Sequence, residues 1–540
     1  MNKSERFKVL LERGFFPAEL PPPFVTETFA KFRNSIHRDW MALNQPPKTR
    51  FEVYSYPRVG SQRRKLAIVN PISQLFLTKK IADNCIEIRR FLESSKITLD
   101  SPILYENSNR AIPKPDSNLI SLKRTDVEAR YERILISDLS RFYGTIYTHT
   151  LPWAVHGKAH CKANINNPAV MNALLGTSLD ALVRKGQDNQ TIGIPIGPDT
   201  SRILAEIIAI GVEREFNRRS GFSDGRVFRY VDDWFLEFDG AGKAEDAVSL
   251  LSKACSDYEL ELNHEKISVV DPIDPVDELW PADLREHVFR NTASEQAQDI
   301  RHYFTKAFCY ASKDRGQNVL DFAVKRIRSV GIPSENAALF ESYVVRAARV
   351  NPTSFPTAAQ ILINLKYQGM PLSNERIEKL IFDTIAKSVL VGRYGELSWA
   401  LFLAKGLRIS IPSAVIEPIL GIESSVCALL TLDLNNLGLI NGPIDTTFWQ
   451  SFMNSDSLCS NMWLLSYEAD SKGWLPSPHN HVALHPFFAP LKRKEVFFYD
   501  TRKNVPTFQR AIQRQKRENE RRLSNFNMLR VMFATNFRSL

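Results

Sequence analysis

The chain has 540 residues, 44% of them hydrophobic and 24% charged, which is enough to bury a large core and suits two to four domains. No run approaches the roughly 18 consecutive apolar residues of a membrane span, and the opening MNKSERFKVLLERG turns charged before any apolar signal core, so a cytoplasmic protein with no membrane partner is expected. Net charge is +10, and six cysteines (Cys85, Cys161, Cys255, Cys309, Cys427, Cys459) lie scattered without CxxC spacing, which excludes a disulfide scaffold and a zinc ribbon.

Taken in chain order, an amino-terminal helix is punctuated by the proline step Leu20–Phe24 (LPPPF). Gln62–Pro71 (QRRKLAIVNP) then carries three successive cations, Arg63, Arg64 and Lys65, into an apolar strand, and Arg110–Asp116 (RAIPKPD) reads as a loop. In Arg133–His149 (RILISDLSRFYGTIYTH) a β-prone run delivers Asp138 at its end, with Phe142 and Tyr143 following. His156, His160 and Cys161 have zinc-like spacing but no second ligand pair nearby, which argues against a metal there. Thr191–Glu206 (TIGIPIGPDTSRILAE) is a Gly/Pro loop giving way to a helix, with Asp199 or Thr200 as its cap. Such a loop allows close backbone approach to a sugar or base.

Arg226–Asp239 (RVFRYVDDWFLEFD) reads as a hairpin whose tight turn carries Asp232 and Asp233 between two apolar strands. Two anions at the tip of a buried hairpin are costly unless a cation neutralises them. Together with Asp138 they make the geometry that holds two Mg²⁺ about 3.5–4 Å apart. Oxygen donors with open water positions suit that ion. Lys266, in Leu260–Val270 (LELNHEKISVV), begins a β-prone segment from which it could reach a phosphate or supply a proton.

Past the break at 270–281 the character changes. Residues 295–440 are helical patterns separated by Pro or Gly on a pitch of roughly 30–45 residues, as in an α-solenoid of diverged repeats. The stripe of Trp399 and Phe402 is helical core, and His479, His481 and His485 fall in a Pro-rich loop. Residues 507–535 read as one long basic helix. The segment 491–540 holds 13 Lys and Arg against 4 Asp and Glu, nearly all of the excess charge. It is either a solvated helix face or a surface for nucleic acid, with Phe508 and Phe526 among the arginines.

In this order the segments resemble the fingers and palm of a reverse transcriptase, over roughly residues 50–280. The resemblance implies that Asp138, Asp232 and Asp233 bind two Mg²⁺, and that Arg64, Lys65, Tyr143, Gly197, Ser201 and Lys266 contact the nucleotide, Tyr143 as the aromatic gate against a ribose 2′-hydroxyl. The family usually has Gln before the loop glycine; Ile196 stands here, which puts ordinary template copying in doubt. GIPIGPDTSRILAE, DLSRFYGTIYTH and Arg393–Arg408 (RYGELSWALFLAKGLR) are similar to bacterial abortive-infection reverse transcriptases, the AbiK, AbiA and Abi-P2 group.

That resemblance implies an α/β right-hand-type fingers and palm followed by an all-α helical-repeat domain. The expected units are 1–130 (amino-terminal helices and fingers), 131–285 (palm) and 286–540 (helical repeats ending in the basic helix). It also implies a homo-oligomer, trimer or hexamer, that uses dNTPs in phage defence, with single-stranded DNA product and RNA as partners. Synthesis would be untemplated and primed by a protein hydroxyl, with Tyr303, Tyr310, Tyr343, Tyr367, Tyr394, Tyr467 and Tyr499 as carboxy-terminal candidates. Two alternatives stay open: a conventional RNA-templated reverse transcriptase of the retron or intron-encoded kind, and a catalytically dead palm serving as an RNA-binding scaffold.

Overall fold

The computed structural model describes residues 1–507 apart from Asn44, Ser61, 221–225, 240–242 and Pro478. The basic helix expected over 507–535 therefore lies outside the described residues, except for Thr507.

Strands β1 (Glu52–Pro57) and β2 (Arg63–Ile68) form an antiparallel hairpin. Four further strands, β3 (Arg133–Asp138), β4 (Val227–Tyr230), β5 (Asp233–Phe238) and β6 (Ser268–Val270), make an antiparallel sheet in the order β4-β5-β3-β6. Side chains alternate across a strand. Leu135, Trp234, Leu236 and Phe238 accordingly pack on the helices Asp199–Ser220 and Lys243–Ser256, while Ile134, Phe228 and Phe235 pack under Val127 of the helix Asn118–Glu128. Covering both faces explains why these strands read as nearly unbroken apolar runs.

The carboxy-terminal half is built of helices: Ala293–Lys313, Val319–Ile327, Ala337–Val350, Phe355–Tyr367, Asn374–Val389, Tyr394–Leu407, Ser425–Asn436 and Trp463–Lys472. Local chemistry sets their ends. The Ser373 hydroxyl accepts from Arg376 N at the start of Asn374–Val389, and Gly473, at φ +66°, closes Trp463–Lys472.

One apolar core runs from the amino-terminal helices Lys3–Arg13 and Glu27–Met41 (Phe7, Leu11, Trp40) through Tyr54 and Leu66 of the hairpin to these helices and on to Val505. Gly395 shows how close the approach is, since a Cβ there would lie 3.0 Å from the Ser55 carbonyl oxygen. Tyr54 and Ser398 share a hydroxyl hydrogen bond of 2.7 Å, and Arg63 grips Glu396 through two bonds of 2.6 and 2.7 Å. Among the described residues no helix is long and apolar enough to cross a membrane.

Candidate active site

The register of β3 on β5 places Asp138 directly opposite Asp233, at the strand ends and on one face of the sheet. Tyr230 pairs with Asp233, leaving Val231 and Asp232 as a two-residue turn. Val231 sits at φ +59°, a left-handed conformation that a β-branched residue adopts only under constraint.

Arg229 supplies much of that constraint. It is wholly buried, its Nη1 donates to the Val231 carbonyl at 2.7 Å, and its guanidinium meets Glu206 at 2.5 and 3.1 Å with Glu213 at 3.9 Å. Burial alone would lower the guanidinium's pKa, but Glu206 and Glu213 hold it above its ordinary value. On the far side of the turn Leu139 N donates to the Asp232 carbonyl at 3.3 Å.

Lys266 ends a short 3₁₀ turn, His264–Lys266, that is tied to β3 by Asn263 N donating to the Asp138 carbonyl at 2.7 Å. Its ammonium lies 2.5 Å from Asp138 Oδ2 although the side chain is 59% exposed. Burial, then the Asp138 charge, pushes Asp232 above the usual carboxylate range. Burial, then Asp232 and Asp138, pushes Asp233 up to about 7, and Lys266 opposes the rise at both. Negative charge is thus crowded onto the strand ends with one ammonium beside it.

Hard carboxylate oxygens are the donors Mg²⁺ prefers, so donor type and accumulated charge fit that ion. Among the described residues, however, no group of three or more His, Cys, Asp or Glu is already gathered around a metal position. The Lys266 ammonium occupies only Oδ2 of Asp138, so an ion bound through that oxygen would compete with it.

Of the remaining expected contacts, Tyr143 and Arg64 lie within electrostatic reach of this centre. Tyr143 lies in the short turn Phe142–Thr145 that left-handed Arg141 opens, and its carbonyl accepts from Ile194 N at 2.8 Å. Burial raises its hydroxyl pKa; Arg202 and Arg64 oppose that while Asp232 and Glu206 add to it. Arg64 and Lys65 are exposed on β2 and form no ion pair among the described residues; the pleat turns them to opposite faces.

Gly197 is half-buried and Ser201 is buried, each held by packing. Gly197 has φ +133°, and a Cβ there would lie 2.7 Å from Pro17 Cγ and 3.3 Å from the Ala67 carbonyl oxygen, so the position needs glycine. Its neighbour Ile196 accepts from Ala67 N at 2.7 Å, binding the loop to β2. Ser201 is 3% exposed, in a small internal cleft with Ser73, Gln74 and Thr200.

Asp199 opens its helix, but the expected capping does not occur there. Its carboxylate accepts from Arg110 Nη2 at 2.6 Å and from Ile112 N at 2.8 Å, while Arg110 also donates to the Gly197 carbonyl at 3.0 Å. Thr200 Oγ1 accepts from Gln74 Nε2 at 3.4 Å. Arg110 and Asp199 thereby fix the loop through contacts 89 residues apart.

Sequence reading also missed Arg229, Glu206 and Arg202. The available signal was a lone arginine inside an apolar strand (RVFRY) and a lone glutamate inside an apolar helix (ILAEII), a pair that burial forces together.

No family model matches the chain, and no curated protein is similar to it. Among solved structures the chain is similar to apo telomerase from Candida tropicalis, with a TM-score of 0.31 and 11% identity over 74% of this chain and 72% of that one. It is also similar to telomerase from Candida albicans in complex with a TWJ fragment of telomeric RNA (TM-score 0.28, 11% identity, 74% and 68% covered). The corresponding Candida tropicalis complex gives a TM-score of 0.28 and 12% identity over the same shares.

Proposed function

We propose that the chain is a Mg²⁺-dependent, reverse-transcriptase-like DNA polymerase acting in cytoplasmic phage defence, with 131–285 as palm, 1–130 as amino-terminal helices and fingers, and 286–540 as a helical-repeat domain that assembles a trimer or hexamer. The observation that carries this reading is the register of Asp138 against Asp233 beside a strained turn bearing Asp232. Two Mg²⁺ bound by these carboxylates would activate an attacking hydroxyl and stabilise the departing pyrophosphate. In that reaction the hydroxyl oxygen bonds to the α-phosphorus of a dNTP, its proton leaves, and the bond to pyrophosphate breaks.

Arg64, whose charge acts on Asp232 and Tyr143, binds the triphosphate, with Lys65 on the opposite face of β2 adding only a more distant nucleotide contact, and Tyr143 stands against the sugar where a 2′-hydroxyl would lie. Lys266, once released from Asp138, meets phosphate or gives a proton to the leaving group. Gly197 and Ser201 shape the pocket floor through the loop they hold.

Untemplated synthesis is supported by Ile196, which packs against the apolar core and offers no amide to a templating base. Among the priming candidates, Tyr303, Tyr467 and Tyr499 are fully buried with their hydroxyls bonded to Ala323, Val496 and Asp433, which disfavours them. The tested prediction is that purified protein with Mg²⁺ and labelled dNTPs, without template, yields label that migrates with protein on a denaturing gel until protease releases it. Label that requires added RNA and primer would establish the templated alternative, and none under either condition would overturn the polymerase reading.

A further inference from the structure

One helix covers the sheet face that carries the carboxylates. Side chains two residues apart on a strand share a face. Ile136 and Ile134 of β3, with Phe235 and Glu237 of β5, therefore lie on the face of Asp138 and Asp233. Phe228 of β4 stacks on Phe235, with ring centroids 4.5 Å apart and planes within 3°. The helix Asn118–Glu128 lies across them: Val127 packs with Ile134, Phe228 and Phe235, and the Lys123 ammonium stands 6.0 Å over the Phe228 ring. Its two ends reach the two ends of β5. Burial, then Asp100 and Asp116, raises the Tyr230 hydroxyl pKa, and Asp116 immediately precedes the helix, while Asp126 near the other end bears on Glu237. At the helical rise the eleven residues span about 16 Å, close to the length of six-residue β5.

Two features make this a weak cover. Val127 is the one buried residue of the eleven, and the cluster it joins holds only four buried side chains. Glu237 is enclosed with nothing to answer it: it is 0% exposed, and neither carboxylate oxygen has a hydrogen-bond partner among the described residues. A buried polar group left unsatisfied opposes the arrangement that buries it. Burial pushes this carboxyl up to about 7; Lys123, Arg130 and Arg226 oppose the rise and Asp126 adds to it. Those cations are engaged elsewhere. Lys123 lies 3.6 Å and Arg130 2.5 Å from Asp126, and Arg226 lies 5.5 Å from the centre of the Tyr131 ring.

The chain on either side of the helix supplies tethers. Arg202 donates to the Pro113 carbonyl before it, and β3 begins at Arg133 after it. Ser117 gives the helix no side-chain cap. On the outer side the Ser121 hydroxyl donates to Asp277 at 2.6 Å and Arg124 donates to the Val276 carbonyl at 3.5 Å, both in a largely exposed stretch past β6. A helix held by polar surface contacts over a thin apolar cluster and an unsatisfied carboxyl opens at lower cost than the rest of the fold.

We propose that the helix Asn118–Glu128 is a displaceable cover, closed over the carboxylate-bearing face at rest and lifting between its tethers at Pro113 and Arg133 to bare Phe228, Phe235 and Glu237. The enclosed Glu237 favours lifting, and the Ser121–Asp277 bond favours closure. What the bared face serves rests on the polymerase reading: lifting widens the approach to carboxylates of which Asp138 is only 8% exposed, and so raises synthesis.

The test reads the motion itself in the full, metal-free chain. Val127→Cys puts a thiol of similar size on the buried side of the helix, and Cys255, buried on the opposite side of the same sheet, is the internal reference for global opening. Maleimide labelling is followed in time by mass spectrometry of the two peptides. The thiol of Val127→Cys labels roughly tenfold or more faster than Cys255. Adding Asp277→Ala, which removes the outer bond, speeds it several-fold. Adding Glu237→Met, which replaces the unsatisfied carboxyl by an apolar side chain of similar length, slows it about fivefold or more. Equal labelling of the two thiols, or rates indifferent to both substitutions, would overturn the cover. No nucleotide or metal is present, so these rates hold even if the chain makes no DNA. In the incorporation assay Asp277→Ala raises the rate and Glu237→Met lowers it. Altered labelling with unaltered incorporation would overturn the cover's control of synthesis, whereas loss of the carboxylate reading is decided separately by Asp138→Ala.

Discussion

Lys266 and Asp138 form an ion pair that would compete with metal at one carboxylate oxygen. The lysine is largely exposed, and ion pairs of that kind contribute about 0.2–1 kcal/mol. Lys266→Met should therefore tighten Mg²⁺ or Mn²⁺ binding by about 1.5- to 5-fold, measured by calorimetric titration, while the metal-free protein melts at a lower temperature because crowded carboxylates lose their counter-charge. Unchanged metal affinity would show that the ammonium does not compete for the site. Single residues of this kind were only partly legible in the sequence. Asp138, Asp232, Asp233 and Lys266 stand out because each lies at the end of an apolar run, whereas Arg110 could not be assigned to Asp199, whose partner arrives from a distant loop.

Between elements, the buried Arg229–Glu206 pair ties the helix Asp199–Ser220 to the β4–β5 turn and holds Val231 in its left-handed conformation. Arg229→Met leaves Glu206 and Glu213 buried without their cation and should destabilise the protein by about 3–5 kcal/mol. Adding Glu206→Gln should recover part of that loss, so a double-mutant cycle in denaturant gives a clear coupling; strict additivity would contradict the role assigned to the pair. The hairpin itself was readable from its two apolar runs, and so were most carboxy-terminal helices, because Pro and Gly mark their ends. The cap of Asp199–Ser220 was not, since local rules place an aspartate there as a cap while tertiary contacts with Arg110 and Ile112 claim the same carboxylate.

At the scale of the molecule, the amino-terminal helices and the β1–β2 hairpin share one core with the carboxy-terminal helices, an association that composition and periodicity do not reveal. Glu52 lies in that contact, where the Ser424 hydroxyl donates to it at 3.0 Å, and burial pushes its carboxyl up to about 7. Its pKa is higher folded than unfolded, so the folded state binds the extra proton and stability falls as pH rises from about 4.5 to about 7, then levels off. The loss amounts to about 3 kcal/mol at 1.36 kcal/mol per unit. Glu52→Gln should flatten this part of the profile in denaturation experiments between pH 5 and pH 8, and an unaltered profile would assign the dependence to other groups.

The same core makes the carboxy-terminal helices part of the support for the hairpin that carries Arg64, through Arg63–Glu396 and Tyr54–Ser398. Glu396→Ala should therefore weaken dNTP binding without touching the carboxylates, seen as a raised KM with kcat little changed; an unchanged KM would show that the hairpin keeps its position without that anchor. The central claim is that Asp138, with Asp232 and Asp233, supports nucleotidyl transfer. Its most direct test is incorporation of labelled dNTP in Mg²⁺ by the wild-type chain and by Asp138→Ala, compared at matched folding as judged by thermal melting. The account predicts incorporation by the wild type and only background by the variant; equal incorporation by the two would contradict it.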